Sequence, residues 1–561
     1  MTTWANLYTY SFAAQSQYPT AAPYAAGHAV TPLASNSGYS ASGTRAGGLH
    51  PIDHTQEVGS RAPLFGGDFF DRIHVFPSSI EIGNLIGTQE YTVSVWNAHY
   101  TDGTLTDAAL ADAEGISLAG GEAMPFNFSP RESITWMLTA TQAGPPVIAA
   151  TLTYDFDGEL FVVPITGRRV IGFSFTPDWS ASGILERLEW ATDLIEAYDG
   201  QEQRRSLRQH PRRSIEFTVT VSDREKRRLE AMLFGWGSRV WAVPIWTDGA
   251  TLGANVAAGS MTLDIDTATR DYQPGGFVML ASGISGNSEV GEIESVTALQ
   301  ISLKRPLISS WPGGTAVFPA RSARLQTPPS LSRFTGDTSV GRMLFDLTDP
   351  QQWATDHGLD TYRGYPVMTF AINWITDPEF SFDRRLNILD NGSGQRLYDD
   401  ETGIPLTRRT VAYTMPDRAT IDVWRKTLHA LKGRAGAIWS HTDGKDIEMV
   451  SPLLSAEIQL DFTRIGFVDY LADVVGRRDI RIKLKDGTIF YRRIAGYGEI
   501  DADTEYVTID SPLGIDVLPD DIDAISFLFL ARLDSDAVEL SWWSGDVVDS
   551  VVTMRGFNNG V

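Results

Sequence analysis

Cysteine is absent from the 561-residue chain, which excludes disulfide bonds, thiolate nucleophiles and cysteine metal ligands. Long apolar runs are also missing: no uncharged stretch reaches the roughly 18 residues that a membrane-spanning helix requires. The first residues, MTTWANLYTYSF, lack the basic region and the apolar core of a secretory signal. The sequence therefore predicts a protein without a membrane span.

Positive charge is scarce relative to negative charge. The chain has 46 Lys and Arg residues against 70 Asp and Glu residues, a formal net charge of −24. Such a surface repels phosphate backbones and argues against general nucleic-acid binding. One basic stretch, QRRSLRQHPRR at residues 203–213, departs from this trend. It is compatible with a phosphate contact, a solvated loop or a set of ion pairs at an interface.

Familiar catalytic motifs are missing as well: there is no HExxH, no Walker loop and no GxSxG. His50 and His54 flank a proline in an irregular region and are more typical of loop residues than of a metal pair. The acidic clusters at 501–505 and 519–523 fall at predicted turns, and the first lacks the glycine and distal glutamate of a calcium loop. We therefore predict no enzymatic activity, no catalytic residues, no cofactor and no metal site.

The composition divides the chain into several units, as expected at roughly 100–200 residues per domain. Residues 1–66 are rich in Ala, Ser, Gly, Thr and Tyr without a helical or strand period, which predicts an extended, low-complexity arm. Residues 67–170 alternate apolar runs with turn-rich segments, a pattern typical of a β-sandwich. The fold class predicted for the whole chain is mainly β with a few short helices.

Two later stretches repeat the same landmarks in the same order. Arg212–Arg213 open RRSIEFTVTVSD, and Arg408–Arg409 open RRTVAYTMPD. Each stretch continues through an Asp-Arg pair into a helix-like segment, DREKRRLEAMLFGWGSR or DRATIDVWRKTLHALKGR, and then to a Trp and a Thr-Asp-Gly turn. Further on, ARLQTPPSLSRFTGD matches ARLDSDAVELSWWSGD. Landmarks in one order over such a length predict a tandem duplication.

The duplication predicts two like β domains, each interrupted by a small inserted β-barrel. The helix-like segments have Ser222 or Asp223, and Asp417, as candidate N-caps. Lys485–Asp486–Gly487 predicts a hairpin turn in the second insertion. The predicted boundaries are 171–249 with 320–347 for the first domain, 250–319 for its barrel, 348–362 for a linker, 363–445 with 531–561 for the second domain, and 446–530 for its barrel.

Residues 67–170 resemble a known class of module. The segments FPSSIEIGNL, YTVSVWN, PRES and ITGRR are similar to the immunoglobulin-like domains of cilia and centrosome proteins, the ASPM/SPD-2/Hydin type. This resemblance implies an immunoglobulin-like β-sandwich. It implies a binding or spacing role rather than a particular activity, because such modules serve many functions.

The duplicated region resembles the tail-tip and baseplate hub (distal tail) proteins of long-tailed siphophages and gene-transfer agents. The stretch from the first arginine pair through SDREKRRLEAML to GWGSRVWAVPIWTDG carries this likeness. The family implies tail-tube-like domains in a trimeric, pseudo-sixfold ring that joins the tail tube to the central fibre in the virion, assembled in the bacterial host cytoplasm. The implied partners are the tail tube or distal tail protein, the tape measure protein, fibre or receptor-binding proteins, and DNA that passes through the lumen without specific binding.

Two alternatives stay open at this point: a hexameric distal tail protein, and a carbohydrate-binding adhesin or glycan-active tail protein.

Trp246 and Trp439 stand at matched points of the repeat, and the adjacent Trp542 and Trp543 are expected to face opposite sides of a strand. These and other repeat landmarks are candidate assembly residues, with packing inside each domain as the alternative. The candidates are Arg212, Arg213, Trp246, Asp248, Gly249, Arg408, Arg409, Trp439, Asp443, Gly444, Trp542 and Trp543.

Overall fold

The structure is a computed structural model that describes residues 70–558 apart from residues 182, 283–286, 473 and 475. The prediction of a mainly β protein with short helices is confirmed, with several antiparallel sheets. The predicted arm at 1–66, with His50 and His54, lies outside the described residues. In the part of the chain that is described, no helix has the length and apolar character to cross a membrane.

Nine strands form the N-terminal sheet pair, which encloses its own apolar cluster. The sheets have the orders β1-β3-β7-β5 and β2-β9-β8-β4-β6. In β8, VIAATLTYDF, every second residue is buried, as expected for a strand with one face on a core. The strands are β1 (Ile73–Phe76), β2 (Ile80–Leu85), β3 (Gln89–Asn97), β4 (Gly103–Ala111), β5 (Ile116–Gly120), β6 (Phe126–Phe128), β7 (Ser133–Ala140), β8 (Val147–Phe156) and β9 (Glu159–Arg169).

The next segment, which we call the first half, surrounds one long strand that is followed directly by a helix. That strand, β14, lies between β11 and β23 in antiparallel pairings. The elements are β10 (Ile171–Gly172), β11 (Ile184–Glu189), β12 (Thr192–Glu196), β13 (Glu202–Ser206), β14 (Arg212–Ser222), α1 (Asp223–Trp236), β15 (Trp241–Pro244), a 3-10 turn (Trp246–Asp248), β16 (Ala250–Thr251), β17 (Thr262–Asp264), β18 (Phe277–Ala281), β19 (Ser288–Thr297), β20 (Gln300–Leu303), β21 (Ala316–Leu325), β22 (Leu331–Arg333) and β23 (Thr338–Leu347).

The second half again places a helix directly after a long strand, here β29. Its elements are β24 (Thr361–Tyr362), β25 (Tyr365–Pro366), β26 (Glu379–Asp383), β27 (Leu386–Leu389), β28 (Leu397–Asp400), β29 (Leu406–Met415), α2 (Arg418–Leu431), β30 (Ile438–His441), β31 (Gln459–Thr463), α3 (Phe467–Tyr470), β32 (Asp479–Leu484), β33 (Ile489–Glu499), β34 (Thr504–Ile509), a 3-10 turn (Pro519–Asp521), β35 (Ile522–Leu533), β36 (Ala537–Trp542) and β37 (Val548–Gly556).

Strand pairings of the first half recur in the second. β14 pairs with β11 and β23, and β29 pairs with β26 and β37. β15 pairs with β21, and β30 pairs with β35. The inserted strands follow the orders β17-β20-β19-β18-β21 and β31-β34-β33-β32-β35. A separate hairpin follows β11 and β26 in turn, β12–β13 and β27–β28. The halves can therefore be compared position by position.

Register shows which residues correspond, and it corrects the matching of the arginine pairs. Arg333 pairs with Ser339 as Trp542 pairs with Val548, which aligns β23 with β37. In that alignment Met343 corresponds to Val552, and their partners on the long strands are Phe217 and Val411. Arg213 consequently corresponds to Thr407 and not to Arg409. The sequence match was two residues out, a shift that leaves every side chain on the same face of its strand.

The tryptophan match was also wrong. Trp439 pairs with Leu530, and its counterpart in the first half is Ala242, which pairs with Ser322. The chain then reaches Ala250 and Ile447 after the same number of residues, and these bond to the corresponding positions Val317 and Ile525. Asp248 therefore corresponds to Lys445, so the two Thr-Asp-Gly turns are not equivalent either.

Local predictions at the helix ends and hairpins can be checked directly. Asp417 caps α2 by accepting a hydrogen bond from the Thr420 backbone N–H at 2.8 Å. Ser222 occupies the N-cap position of α1, but its side chain makes no capping bond. The hairpin at Lys485–Gly487 joins β32 to β33, as predicted.

One acidic residue expected in a solvated turn is buried instead. Glu505 lies on β34 with no exposed surface and accepts hydrogen bonds from the backbone N–H groups of Ile465, Phe467 and Val468 at 2.9–3.1 Å. Burial alone would raise the pKa of Glu505, but the backbone donors outweigh it and lower the pKa. Its carboxylate therefore binds the backbone at the start of α3.

Candidate functional site: the junction between the halves

The two halves join along a strand edge. β11 of the first half pairs antiparallel with β36 of the second, from Ile184 opposite Trp542 to Glu189 opposite Ala537. Because β11 also pairs with β14, the hydrogen-bonded sheet continues from one half into the other. One apolar cluster draws side chains from both halves, including Phe217, Trp241, Trp424 and Phe529. The junction therefore combines a shared sheet with a shared core.

A buried set of charged residues crosses this junction, and we call it the junction ion cluster. Asp248, on the turn after β15, is fully buried and accepts hydrogen bonds from Arg425 at 2.8 and 3.1 Å and from Arg418 at 2.8 Å. Burial alone would raise the pKa of Asp248, but the two arginines outweigh it and hold the pKa well below its usual range. The complete cluster is Glu186, Arg213, Asp248, Asp271, Arg321, Arg418 and Arg425.

Arg213 extends the cluster within the first half. Its Nε lies 2.7 Å from Glu186, and its Nη1 donates to Asp271 at 2.5 Å and to Gln351 at 3.0 Å. The indole N–H of Trp542 donates to Glu186 at 2.9 Å, so the second half also contacts this end. A buried ion is costly unless it is paired and hydrogen-bonded, and here each charge has an opposite partner.

The cavity inside the junction is small, whereas Arg213 also borders a larger open groove. The cavity beside Glu186, Arg213 and Arg425 has a volume of about 10 Å³, close to the minimum for a single water molecule. Within the described ranges, no group of three or more His, Asp or Glu residues is placed to bind a metal ion. The ion pairs of Asp248 with Arg418 and Arg425 connect the first half to the second.

A second contact across the junction comes from the β12–β13 hairpin, which sequence reasoning missed. Glu202 forms a bidentate ion pair with Arg532 at 2.8 Å, and both side chains are buried. Glu196 binds Arg555 at 2.8 Å. Arg204 lies over the ring of Phe557, 4.0 Å from its centroid. Within the basic stretch at 203–213, Arg204 thus contacts the second half, whereas Arg208 and Arg213 form ion pairs with Glu189, Glu186 and Asp271 of the first half.

Several predicted assembly residues bind within their own half instead. Arg409 is fully buried and binds Asp443, together with Ser440 at 3.0 Å and Tyr413 at 3.3 Å. Arg408 is about half exposed and binds Asp534. For these residues the intradomain alternative describes the contacts, as it does for Gly444, whose carbonyl accepts from Ser526 at 2.5 Å.

The aromatic candidates divide in the same way. Trp246 packs on Phe318 with ring centroids 4.8 Å apart, and a Cβ on Gly249 would meet the same ring. Trp439 is buried and donates to the carbonyl of Tyr362 at 2.9 Å. Trp542 is buried in the junction while Trp543 is 66% exposed, so the prediction that the two face opposite sides is confirmed.

Arg212 lines an open groove on the outward face of the first half, which we call the outer groove. The groove has a volume of about 620 Å³ and is formed by β11, β14 and β23, with Glu539 of β36 also lining it. Its walls carry both signs of charge, with Arg212, Arg342, Glu216 and Asp346 among them. Burial raises the pKa of Asp346, against the opposing effect of Arg212.

Sequence reasoning found part of the junction and missed its partners. It named Arg213, Asp248 and Trp542, but not Glu186, Asp271, Arg321, Arg418 or Arg425 as site residues. A signal was present for two of them: Arg418 and Arg425 are seven residues apart on one helix and therefore share a face. What they bind is set by a turn 177 residues away from Arg425.

Comparisons with known proteins add little to this geometry. No protein-family model and no characterised sequence matches the chain. Among solved structures, the secreted serine protease VesC from Vibrio cholerae matches with 8% identity and a TM-score of 0.15, over 48% of this chain and 49% of that one. The match thus spans about half of that protease, and a likeness at this TM-score carries no argument about fold or function.

Proposed function

We propose that the protein is a structural component of a bacteriophage tail tip or baseplate, a hub with no catalytic role. The observation that carries the proposal is the recurrence of one strand-pairing scheme and one strand–helix order in the two halves. In this proposal the halves are duplicated, tail-tube-like domains, each with an inserted small barrel.

Symmetry links that repeat to a hub. Three chains with two like domains each form a ring of six pseudo-equivalent domains, which matches a sixfold tube on one side and a threefold fibre on the other. The junction supports this, because β11 and β36 already join unlike edges of two such domains into a continuous sheet. Continuation of that sheet around a ring would also protect strand edges from wrong pairing.

The remaining parts of the chain fit as follows. The N-terminal sheet pair would be an immunoglobulin-like module that braces neighbours or contacts fibres at the periphery. The neighbours along the tail would be the tail tube or distal tail protein, the tape measure protein and the central fibre. The net charge of −24 suits a lumen through which DNA passes without sticking.

The mass of the native assembly tests the proposal. We expect three chains per particle by mass photometry of the purified protein, and a ring with a central opening in electron micrographs. Six chains per ring would instead favour the hexameric distal tail protein, and a stable monomer that binds glycans would favour an adhesin.

A further inference from the structure

The surfaces that form the junction occur twice in the chain, but among the described strands only one copy of each is paired across it. β11 pairs with both β14 and β36, whereas its counterpart β26 pairs, among the described strands, with β29 alone. β36 pairs with β37 and β11, whereas its counterpart β22 pairs, among the same strands, with β23 alone. Each chain thus presents the counterparts, β26 and β22, of the two edges that its own junction brings together.

The geometry points to a head-to-tail contact between two copies of this chain, in which the β26 edge of one meets the β22 edge of the other. This inference deepens the proposed function, since it names the surfaces by which the ring would close. By register it places Glu379 opposite Ser332 and Phe380 opposite Leu331, as Leu185 lies opposite Ser541 within the chain.

The helix and turn beside these edges carry complementary charges. In the junction, Arg425 of α2 binds Asp248. The residues at the corresponding positions are Glu230 of α1 and the exposed Lys445. Glu230 corresponds to Arg425 because each directly follows a buried residue at the same point of its helix, Leu229 in α1 and Trp424 in α2. Both signs are reversed, so Glu230 and Lys445 attract each other as Arg425 and Asp248 do. The mixed pairings, Arg425 with Lys445 and Glu230 with Asp248, would bring like charges together and are disfavoured.

One turn further along the helix, the counterpart of a buried residue is an exposed aromatic. His429 on α2 is buried in the junction. Its counterpart Phe234 on α1 is 97% exposed. A contact that repeats the junction would bury Phe234.

The two hairpins show the same contrast. β12–β13 contacts the second half through Thr192 and Arg204, and Leu194 lies opposite Arg204 on the same face. The corresponding positions on β27–β28 are Leu386, Ile388 and Tyr398, which share one face and are 50%, 51% and 58% exposed. A two-stranded hairpin with an uncovered apolar face is marginal alone.

The first half of a second copy offers a surface for this face. Within the chain, the β12–β13 hairpin binds Arg555 through Glu196. By register the counterpart of Arg555 is Asp346, which lines the open outer groove. Repetition of the junction would therefore bring β27–β28 to the groove. The ion pair itself would not be repeated, because the counterpart of Glu196 is Asp390, which is already paired with Arg396.

The proposed ladder is shorter than the one inside the chain. Pro328 and Pro329 precede β22 and lack the backbone N–H that a longer ladder would need. Most of the contact would thus come from the helix, the turn and the hairpin. A short, proline-flanked edge also protects the free chain from unspecific strand pairing.

Cysteine cross-linking tests the contact, because the natural chain has no cysteine. Ser332→Cys and Glu379→Cys proteins, mixed and oxidised, should give covalent dimers that neither protein gives alone. Leu185→Cys with Ser541→Cys is the matched control within one chain. Ser332→Cys mixed with Asp383→Cys is out of register and should link far less. Absence of the Ser332–Glu379 link, while the control forms, overturns the inference.

The double variant Ser332→Cys/Glu379→Cys separates this inference from the proposed function. A closed covalent ring of three chains supports both. A covalent ring with another number of chains supports the contact and overturns the hub. A trimer without the cross-link overturns the contact and leaves the hub standing.

A charge exchange gives a second readout that does not depend on oxidation. Lys445→Glu should weaken self-association by about fivefold, the size expected for one ion pair at a surface. Lys445→Glu with Glu230→Lys should restore it, and Lys485→Glu, at an exposed hairpin turn, should leave it unchanged. Equal weakening by Lys445→Glu and Lys485→Glu would contradict the contact.

Discussion

The first and second halves share their strand pairings but differ in what they bury at corresponding positions. Asp248 is fully buried after β15, whereas its counterpart Lys445 is exposed after β30. One face of the β12–β13 hairpin is covered by the second half, whereas the corresponding face of β27–β28 is apolar and exposed. The alternation of apolar residues and the turns therefore maintain the same fold in both halves. The charged residues differ between the halves according to whether their surface is buried in the junction.

The two helices show the same division. Both place an apolar stripe on the long strand before them, with Leu229 and Trp236 in α1 and Trp424 and Leu431 in α2. α2 buries a second face as well, through Arg425 and its neighbours in the junction. A helix of one length and one position thus serves as a surface element in one half and as an interface element in the other.

The largest loss of stability should come from replacing Arg425, the residue of α2 that is buried in the junction. Arg425→Ala leaves Asp248 buried with one arginine fewer and removes a neighbour of Glu186. Loss of one partner from a buried ion pair costs about 3–5 kcal/mol. We expect a clear fall in the midpoint of urea unfolding, followed by tryptophan fluorescence.

The corresponding residue of the first half supplies the control. Glu230→Ala removes only a partly exposed pair with Arg333 and should change the free energy of unfolding by less than about 0.5 kcal/mol. Similar losses for the two variants would show that the junction ion cluster does not hold the halves together.

The order of elements was accessible from sequence, whereas the register was not. Turn residues and caps act locally, so the helix cap at Asp417 and the hairpin at Lys485–Gly487 could be predicted. The arginine pairs were matched two residues out because a strand repeats every two residues, and either alignment buries the same face. Only the pairing of Phe217 with Met343 and of Val411 with Val552 decides between them.

The candidate site was predicted only in part for a related reason. Asp248 and Arg213 drew attention as repeat landmarks, and both belong to the junction ion cluster. Their partners Arg425 and Glu186 meet them through a contact between halves, and no local pattern encodes such a contact. The hairpin pair Glu202–Arg532 was missed in the same way, since its members are 330 residues apart.

The second prediction concerns pH and His429, the buried residue of α2 whose counterpart on α1 is the exposed Phe234. Burial, followed by the positive charges of Arg213 and Arg425, lowers the pKa of His429 to about 3. In the folded protein His429 therefore stays neutral at pH values at which the unfolded chain protonates it, below the ordinary histidine pKa of about 6.5. The resulting loss of stability begins as pH falls through about 6.5 and continues toward pH 3.

His429→Phe installs the residue found at the same position of α1 and keeps an aromatic ring beside Trp190. Between pH 6 and pH 4 the free energy of unfolding should fall less steeply than in the natural protein, by up to about 1.4 kcal/mol per pH unit. Above pH 7 the slopes should coincide, because His429 is neutral in both states. Equal slopes at acid pH would show that His429 gains a proton without unfolding.

The smallest effect distinguishes the two helix starts. The Asp417 side chain accepts from the Thr420 backbone N–H, so Asp417→Ala should cost about 1 kcal/mol. Ser222 occupies the same position of α1 without a capping bond, so Ser222→Ala should cost much less. Chemical denaturation of the two variants at pH 7 makes the comparison. If Ser222→Ala costs as much as Asp417→Ala, the two starts are capped alike in solution, and α1 and α2 differ only in what covers their outer faces.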